Sequence, residues 1–259
     1  MSGMRARSLL DALAAQAGLV CAVGAGGKKS TLYRLVQAHA SVGTARVGLS
    51  TTVLTAPPPP SLGGLRLIAK TGELSRSVPS AAADNPLVIF AEKPPKPGRL
   101  GGVPPEDLAE LHRRAGFDVT LVKADGARMR LIKAPAEDEP VLPPGTATVL
   151  AVLSIKAIGQ ALNEIIAHRP ERVAAVTGAL PGELLTTSHV AHLLASEAGA
   201  LHRAGQAEVV PIVNMVDDDA LRALAREVAR EALRLTGRFD RVVLAAMTAP
   251  DPIVEIVGW

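Results

Sequence analysis

Gly24-Ala25-Gly26-Gly27-Lys28-Lys29-Ser30-Thr31 follows the apolar run Leu19-Val20-Cys21-Ala22-Val23 and precedes a helical pattern in which Leu32, Leu35, Val36 and His39 recur on one face. Strand, glycine turn and helix, in that order, form a phosphate cradle. Glycines let backbone N–H groups turn toward an anion, the helix start adds partial positive charge, and a lysine and a hydroxyl can serve the phosphates and Mg²⁺. The usual spacing is Gly, four residues, Gly-Lys-Ser/Thr. If Lys28 is the phosphate lysine, Gly27 fits, but Ala22 stands at the outer glycine position and Lys29 at the hydroxyl position. If Lys29 takes that role, Ser30 restores the hydroxyl, and Lys28 and Val23 stand where glycines belong. A turn that needs glycine for packing alone is the competing reading.

Composition narrows the class. The 259 residues are 48% hydrophobic, ample for a large core, and suit one α/β sheet domain spanning 1–259. The aromatic residues are Tyr33, Phe90, Phe117, Phe239 and Trp259, too few for a base-stacking platform, so a nucleic-acid partner is not expected. A net charge of +3 without a long basic run suits small anionic ligands. The single cysteine, Cys21, excludes an internal disulfide framework and points to a reducing cytosol. Arg5 and Arg7 before Leu9, Leu10 and Leu13 mimic a signal peptide, but Asp11 and Gln16 interrupt the stretch, and a short packed helix is the expectation. No apolar stretch is long enough to cross a bilayer.

Strand-like runs lie at 46–50, 65–69, 87–91, 119–124, 148–153, 209–213, 241–246 and 253–257, with helical patterns at 105–115, 170–178, 188–197 and 218–235. The alternation predicts a mostly parallel sheet covered by helices on both faces. Pro211 inside a strand predicts a bulge or a free edge. Pro57 to Pro60 and Pro94-Pro95-Lys96-Pro97 flank a region poor in helical periodicity. Residues 53–104 therefore read as an irregular excursion with short strands, either a lid or a solvated insertion.

Three further segments can carry chemistry. Ser50-Thr51-Thr52 puts hydroxyls at a strand's carboxyl end, where they could touch Mg²⁺ or phosphate or merely satisfy backbone groups. The run 119–124 delivers Asp125-Gly126, a carboxylate suited to Mg²⁺ or simply a turn. Arg128, Arg130 and Lys133 alternate with Met129, Leu131 and Ala134 as an extended segment with a cationic face, either a site for phosphates or an acidic substrate, or a solvated edge. Asn214-Met215-Val216-Asp217 follows a late strand where GTP-binding proteins of this kind carry Asn-Lys-x-Asp to read guanine. Met215 replaces the lysine, and Asp217 could instead cap the next helix.

Taken together, these residues resemble the YqeC family, accessory proteins of selenium-dependent molybdenum hydroxylases that are also called selenium cofactor biosynthesis proteins. The resemblance runs through Gly24 to Lys28, Ser50-Thr51-Thr52, Ala124-Asp125-Gly126-Ala127, Lys133-Ala134-Pro135, Glu139-Pro140, Ala157-Ile158-Gly159, His168-Arg169-Pro170 and 214–217. It is most specific over 123–144. The family usually has Thr, Glu and Lys where this chain has Lys29, Lys123 and Met215. The first two departures remove two oxygen ligands and add two positive charges, which favours nucleotide binding over Mg²⁺-dependent hydrolysis.

The resemblance implies a P-loop NTPase-like three-layer α/β sandwich. Such a domain would bind a nucleoside triphosphate, ATP or GTP, with Mg²⁺, and help mature or insert a selenium-containing molybdenum cofactor. On that reading Gly24, Ala25, Gly26, Gly27, Lys28, Lys29, Ser30 and Thr31 hold phosphates and Asn214 with Asp217 holds the base. Asp125, Ser30, Thr51 and Thr52 are Mg²⁺ ligands, and Arg128, Arg130, Lys133, Glu139, His168 and Arg169 are substrate contacts. No catalytic nucleophile is legible. Alternatives are a non-catalytic chaperone for the anionic molybdopterin cofactor, handing it to an apo-hydroxylase, or a nucleotidyltransferase acting on it.

Overall fold

The computed structural model describes residues 3–94 and 97–259; Pro95 and Lys96 of the second proline-rich stretch lie outside the described residues. In chain order the first elements are α1 (Gly3–Ala12), β1 (Gly18–Gly24), α2 (Lys28–Val42), β2 (Val47–Thr51), β3 (Leu65–Ala69), α3 (Thr71–Asp84) and β4 (Leu87–Glu92). There follow α4 (Pro105–Ala115), β5 (Val119–Lys123), β6 (Ile132–Lys133), β7 (Thr146–Ser154), β8 (Ala167–His168), α5 (Pro170–Thr177) and α6 (Thr187–Ala195). The chain ends through β9 (Glu208–Asn214), α7 (Asp219–Leu235), β10 (Arg241–Ala245) and β11 (Ile253–Gly258). Among the described residues this is a mixed α/β fold with a nine-stranded, mostly parallel sheet flanked by helices. No helix of the described residues is long and apolar enough to cross a membrane.

The chain divides into two compact units, the division passing through β1, α2 and β7. The first holds 1–22, 31–126 and 141–148. Its strands follow the order β1-β5-β2-β4-β3, all parallel, with Gly18 and Val47 both opposite Val119 and Leu65 opposite Val88. The central strands are apolar on both faces, as parallel strands buried between helices must be. Phe90 and Phe117 stack in this core with centroids 5.8 Å apart. Leu9, Leu10 and Leu13 are buried, so the expected packed helix at the start is present. Cys21 is fully buried; desolvation pushes its thiol up to about 12 against a weak contact with Thr146, which removes it as a nucleophile.

The excursion expected at 53–104 is not irregular. It carries β3, α3 and β4, a strand–helix–strand crossover at the sheet edge. Helix α3 buries only Leu74, Val78 and Ala82, a stripe one residue wide, and it contains Pro79, which removes one intrahelical bond. Serine, glycine and proline thus hide the period. Two adjacent parallel strands nevertheless require such a crossover.

The second unit holds 23–30, 127–140 and 149–259. Its long strands follow the order β11-β10-β9-β7, with β10 parallel to β9 and antiparallel to β11. Strand β9 therefore has neighbours on both sides, and the free edge suggested for Pro211 is absent. The pairing of β9 with β10 falls at Ile212 and Val213, beyond the proline, which has no N–H to donate. Helix α7 starts at Asp218, whose carboxylate accepts from the Leu221 amide at 2.8 Å. Arg222 and Arg226 clasp Glu255 of β11. A separate parallel ladder joins β6 to β8, with Ile132 opposite Ala167 and Lys133 opposite His168.

Candidate functional site

The glycine loop belongs to the second unit, and three of its residues take left-handed backbone: Gly24 at φ 90°, Gly26 at 70° and Gly27 at 133°. Packing demands glycine as strictly as conformation does. A Cβ on Gly24 would lie 2.2 Å from the Val152 carbonyl oxygen, and one on Gly27 would lie 2.0 Å from Asn214 Nδ2. The loop is pressed against β7 and β9.

Its hydrogen bonds revise the expected cradle. The Ala25 amide donates to Val152 O at 2.8 Å and the Gly26 amide to Arg130 O at 3.0 Å, so two amides assigned to phosphate serve the fold. The turn at Gly27 leads directly into the start of α2 at Lys28. Lys28 is buried, and its Nζ reaches back across the loop to donate to Gly24 O. Lys29 is exposed, Ser30 half-buried, and Thr31 fully buried in the first unit. Of the two adjacent lysines, Lys28 is the one held over the loop.

Asn214 does not present itself as a base reader. It is buried, donates from Nδ2 to Gly26 O at 2.8 Å and accepts from the Met247 amide at 3.1 Å. Its amide ties the loop to the ends of β9 and β10. Asp217 is not the cap of α7; Asp218 is, and Asp217 pairs at 2.5 Å with Lys156. Lys156 follows Ser154, whose hydroxyl contacts Met215 Sδ at 3.0 Å and accepts from the Lys156 amide at 3.2 Å. Sequence reasoning passed over Ser154 and Lys156. A hydroxyl and a lysine just past the carboxyl end of a strand were the available signal.

Cationic residues of 128–133 form no extended solvated face. Arg128 and Met129 both take positive φ, 44° and 61°, in a turn, and Arg130 folds back to Arg128 O. Lys133 is buried instead of solvated. Its Nζ donates to Glu139 Oε2 at 2.6 Å, and Arg169 donates to the same carboxylate from Nη1 at 2.7 Å and from Nη2 at 3.3 Å. His168 stands opposite Lys133 in the β6–β8 ladder. Of the six residues expected as substrate contacts, Lys133, Glu139, His168 and Arg169 form one cluster.

Burial alone would raise the Glu139 carboxyl, but hydrogen bonds and charge from Arg169 and Lys133 outweigh it and hold it at about 2. Burial, followed by the charges of Arg169 and Lys133, lowers His168 to about 4. Both shifts make acid destabilising. Below about 6.5 the unfolded chain takes up a proton that folded His168 refuses, so stability falls from there to about pH 4. The depressed Glu139 contributes stability that is present above about 4.5 and lost toward 2. Urea midpoints measured against pH should show both declines, and His168→Gln should reduce the upper one and leave the lower unchanged; burial also depresses His39 and His112, which supply the rest of the upper decline.

In the first unit the other expected residues have structural duties. Ser50 donates to Phe90 O, Thr51 to Val53 O and Lys123 O, and Thr52 to Val141 O, each at 2.7 to 3.0 Å. Asp125 is buried just past β5, and Lys123 Nζ donates to its backbone oxygen at 2.6 Å. Among the described residues no group of three or more His, Cys, Asp or Glu could hold a metal ion. Mg²⁺ asks for less, one or two carboxylates plus substrate phosphates and water. By donor type, the Ser30 hydroxyl beside the loop fits.

The YqeC protein family model matches residues 20–171, more than half of the chain and inclusive of the glycine loop, Asp125 and the Lys133–Glu139–Arg169 cluster. A protein of Escherichia coli (strain K12), described as "Uncharacterized protein YqeC", is 30% identical over 189 residues, covering 73% of this chain and 72% of that protein. With a loop, a carboxylate and a cationic cluster inside the matched span, the chain belongs to the YqeC family.

Proposed function

We propose that the chain binds a nucleoside triphosphate, ATP or GTP, at the loop 24–30 and acts in the cytosol as an accessory protein in maturing or inserting a selenium-containing molybdenum cofactor. The observation that carries nucleotide binding is Lys28, a buried ammonium drawn over a glycine turn at the start of α2. The cofactor role rests on the family resemblance. Mg²⁺ would arrive on the phosphates and supply charge neutralisation there, with Ser30 as the hydroxyl ligand beside the loop.

A carrier that holds an anion without hydrolysing it, such as the phosphate of a molybdopterin bound for an apo-hydroxylase, is the second reading. Exposed Lys29 at the hydroxyl position favours it, because a cation there competes with Mg²⁺.

Isothermal titration with ATP, GTP and CTP, with and without Mg²⁺, tests the proposal. Wild type should bind at least one of them, and Lys28→Ala should weaken that binding by about tenfold or more, about 1.4 kcal/mol. If folded wild type binds none, the proposal is wrong. Binding that Mg²⁺ does not improve would select the carrier reading.

A further inference from the structure

Three loops of the second unit are hydrogen-bonded to one another and turn large apolar side chains to solvent. Met129 lies in the turn 127–130, Ile165 in the connection before β8, and Leu180 and Leu184 between α5 and α6. Their exposures are 97%, 76%, 68% and 60%. The Leu131 amide donates to Ile166 O at 2.9 Å, the Leu162 amide to Glu183 O at 2.8 Å and the Leu185 amide to Gln160 O at 2.9 Å, so the loops lie side by side. Exposed apolar residues scattered singly are ordinary. A group of them on adjoining loops marks an interaction site.

Each loop holds its apolar residue outward on fixed backbone. Arg128 and Met129, at φ 44° and 61°, are the central pair of a turn that the Arg130 amide closes on Ala127 O at 2.8 Å, where Asn-Gly is the usual pair. Asn163 Oδ1 accepts from the Ile165 and Ile166 amides at 2.8 and 3.2 Å and ties that loop back. Leu180-Pro181-Gly182-Glu183 is a turn in which the Glu183 amide returns to Leu180 O at 3.0 Å. Leu184 pairs with Ala161 and stays exposed, while its neighbour Leu185 is buried. Loops fixed in this way lose little freedom when a partner docks.

The charges beside these residues are divided. Arg128 and Arg130 flank Met129, whereas Glu164 precedes Ile165 and Glu183 precedes Leu184. Basic charge thus lies on the first loop and acidic charge on the other two. A surface of that kind complements itself when rotated by 180°, which is the condition for an isologous contact. We propose that this face is the interface of a homodimer, with a second copy of the chain docked about a two-fold axis near Ile165. Arg128 and Arg130 of one copy meet Glu183 and Glu164 of the other. Apolar contact supplies the affinity, and the charge pairs fix the register. The proposal does not rest on the nucleotide reading, although Arg130 O, which holds the Gly26 amide, puts the interface beside the glycine loop.

Sedimentation equilibrium of the full chain over a range of concentrations tests the dimer. Wild type should show a reversible monomer–dimer equilibrium with a dissociation constant in the micromolar range or tighter. Ile165→Asp should weaken it about a hundredfold, because a two-fold contact meets each substitution twice. Arg128→Glu and Glu183→Lys should each weaken it about tenfold or more. An equimolar mixture of these two variants should recover a heterodimer near wild-type affinity, since every carboxylate then faces a cation. Circular dichroism checks that each variant folds. Glu183 accepts from the Leu180 amide at 2.7 Å, so if Glu183→Lys does not fold, Glu164→Lys replaces it in the mixture. Wild type that stays monomeric at every concentration overturns the proposal and leaves the face to a different protein. A dimer that Ile165→Asp leaves intact overturns it too, as does a mixture no tighter than its components.

Discussion

Gly24→Ala is expected to destabilise the second unit by about 4 kcal/mol, a large share of the 5 to 15 kcal/mol typical of a whole domain. Three costs combine. The backbone at φ 90° is unfavourable for any residue with a Cβ, at about 1 to 2 kcal/mol. The added methyl would sit 2.2 Å from Val152 O and 3.2 Å from its carbonyl carbon, atoms of β7 that cannot rotate away, and overpacking of that kind costs about 1 to 3 kcal/mol. Moving Val152 O would also stretch the bond from the Ala25 amide, a buried hydrogen bond worth about 1 kcal/mol net.

Gly205→Ala is the control in the same unit. Gly205 has φ 56° and nothing within 4 Å of an added Cβ, so only the first cost applies. Urea unfolding of both variants isolates the packing term. Equal losses would mean that β7 does not clamp the loop.

Asn214→Ala is expected to weaken ATP, GTP and CTP to the same degree and to cost about 1 to 3 kcal/mol of stability. The Gly26 carbonyl would lose its side-chain donor and the Met247 amide its side-chain acceptor, both out of contact with water. A loop no longer tied to β9 must be ordered by the ligand, and that ordering subtracts from affinity whatever the base. Were Asn214 a base reader, the loss would fall on one nucleotide and spare the others. Titration of the three nucleotides against this one variant distinguishes the roles. Asn214→Asp should be worse than alanine, since it sets a carboxylate against the Gly26 carbonyl.

Much of the fold was legible because its signals are local. The apolar runs became β2 to β5, β7 and β9 to β11 with ends shifted by a residue or two, the short β6 and β8 matched none of them, and Pro105–Ala115 forms the helix that its period predicts. Helix α3 was hidden because Pro79 and the serines around it weaken both propensity and period, although the crossover between two parallel strands demands it. The glycine loop was legible as a strand–turn–helix junction. Its register was not, because Lys28 and Lys29 are adjacent and equally basic and only burial tells them apart.

From sequence alone follow the α/β alternation, the strand–glycine turn–helix order of the loop, and the place of Cys21 in an apolar run. Each depends on residue types within a few positions of one another. Tertiary structure alone decided which of these polar groups are already committed. Gly26 is held by Arg130 O and by Asn214, 188 residues away, Thr51 spends its hydroxyl on Val53 O and Lys123 O, and Lys133 turns inward to share Glu139 with Arg169. A residue type states which hydrogen bonds and charges are available; only the packing of distant segments determines which partners claim them, because a buried donor or acceptor must be satisfied wherever the fold puts it.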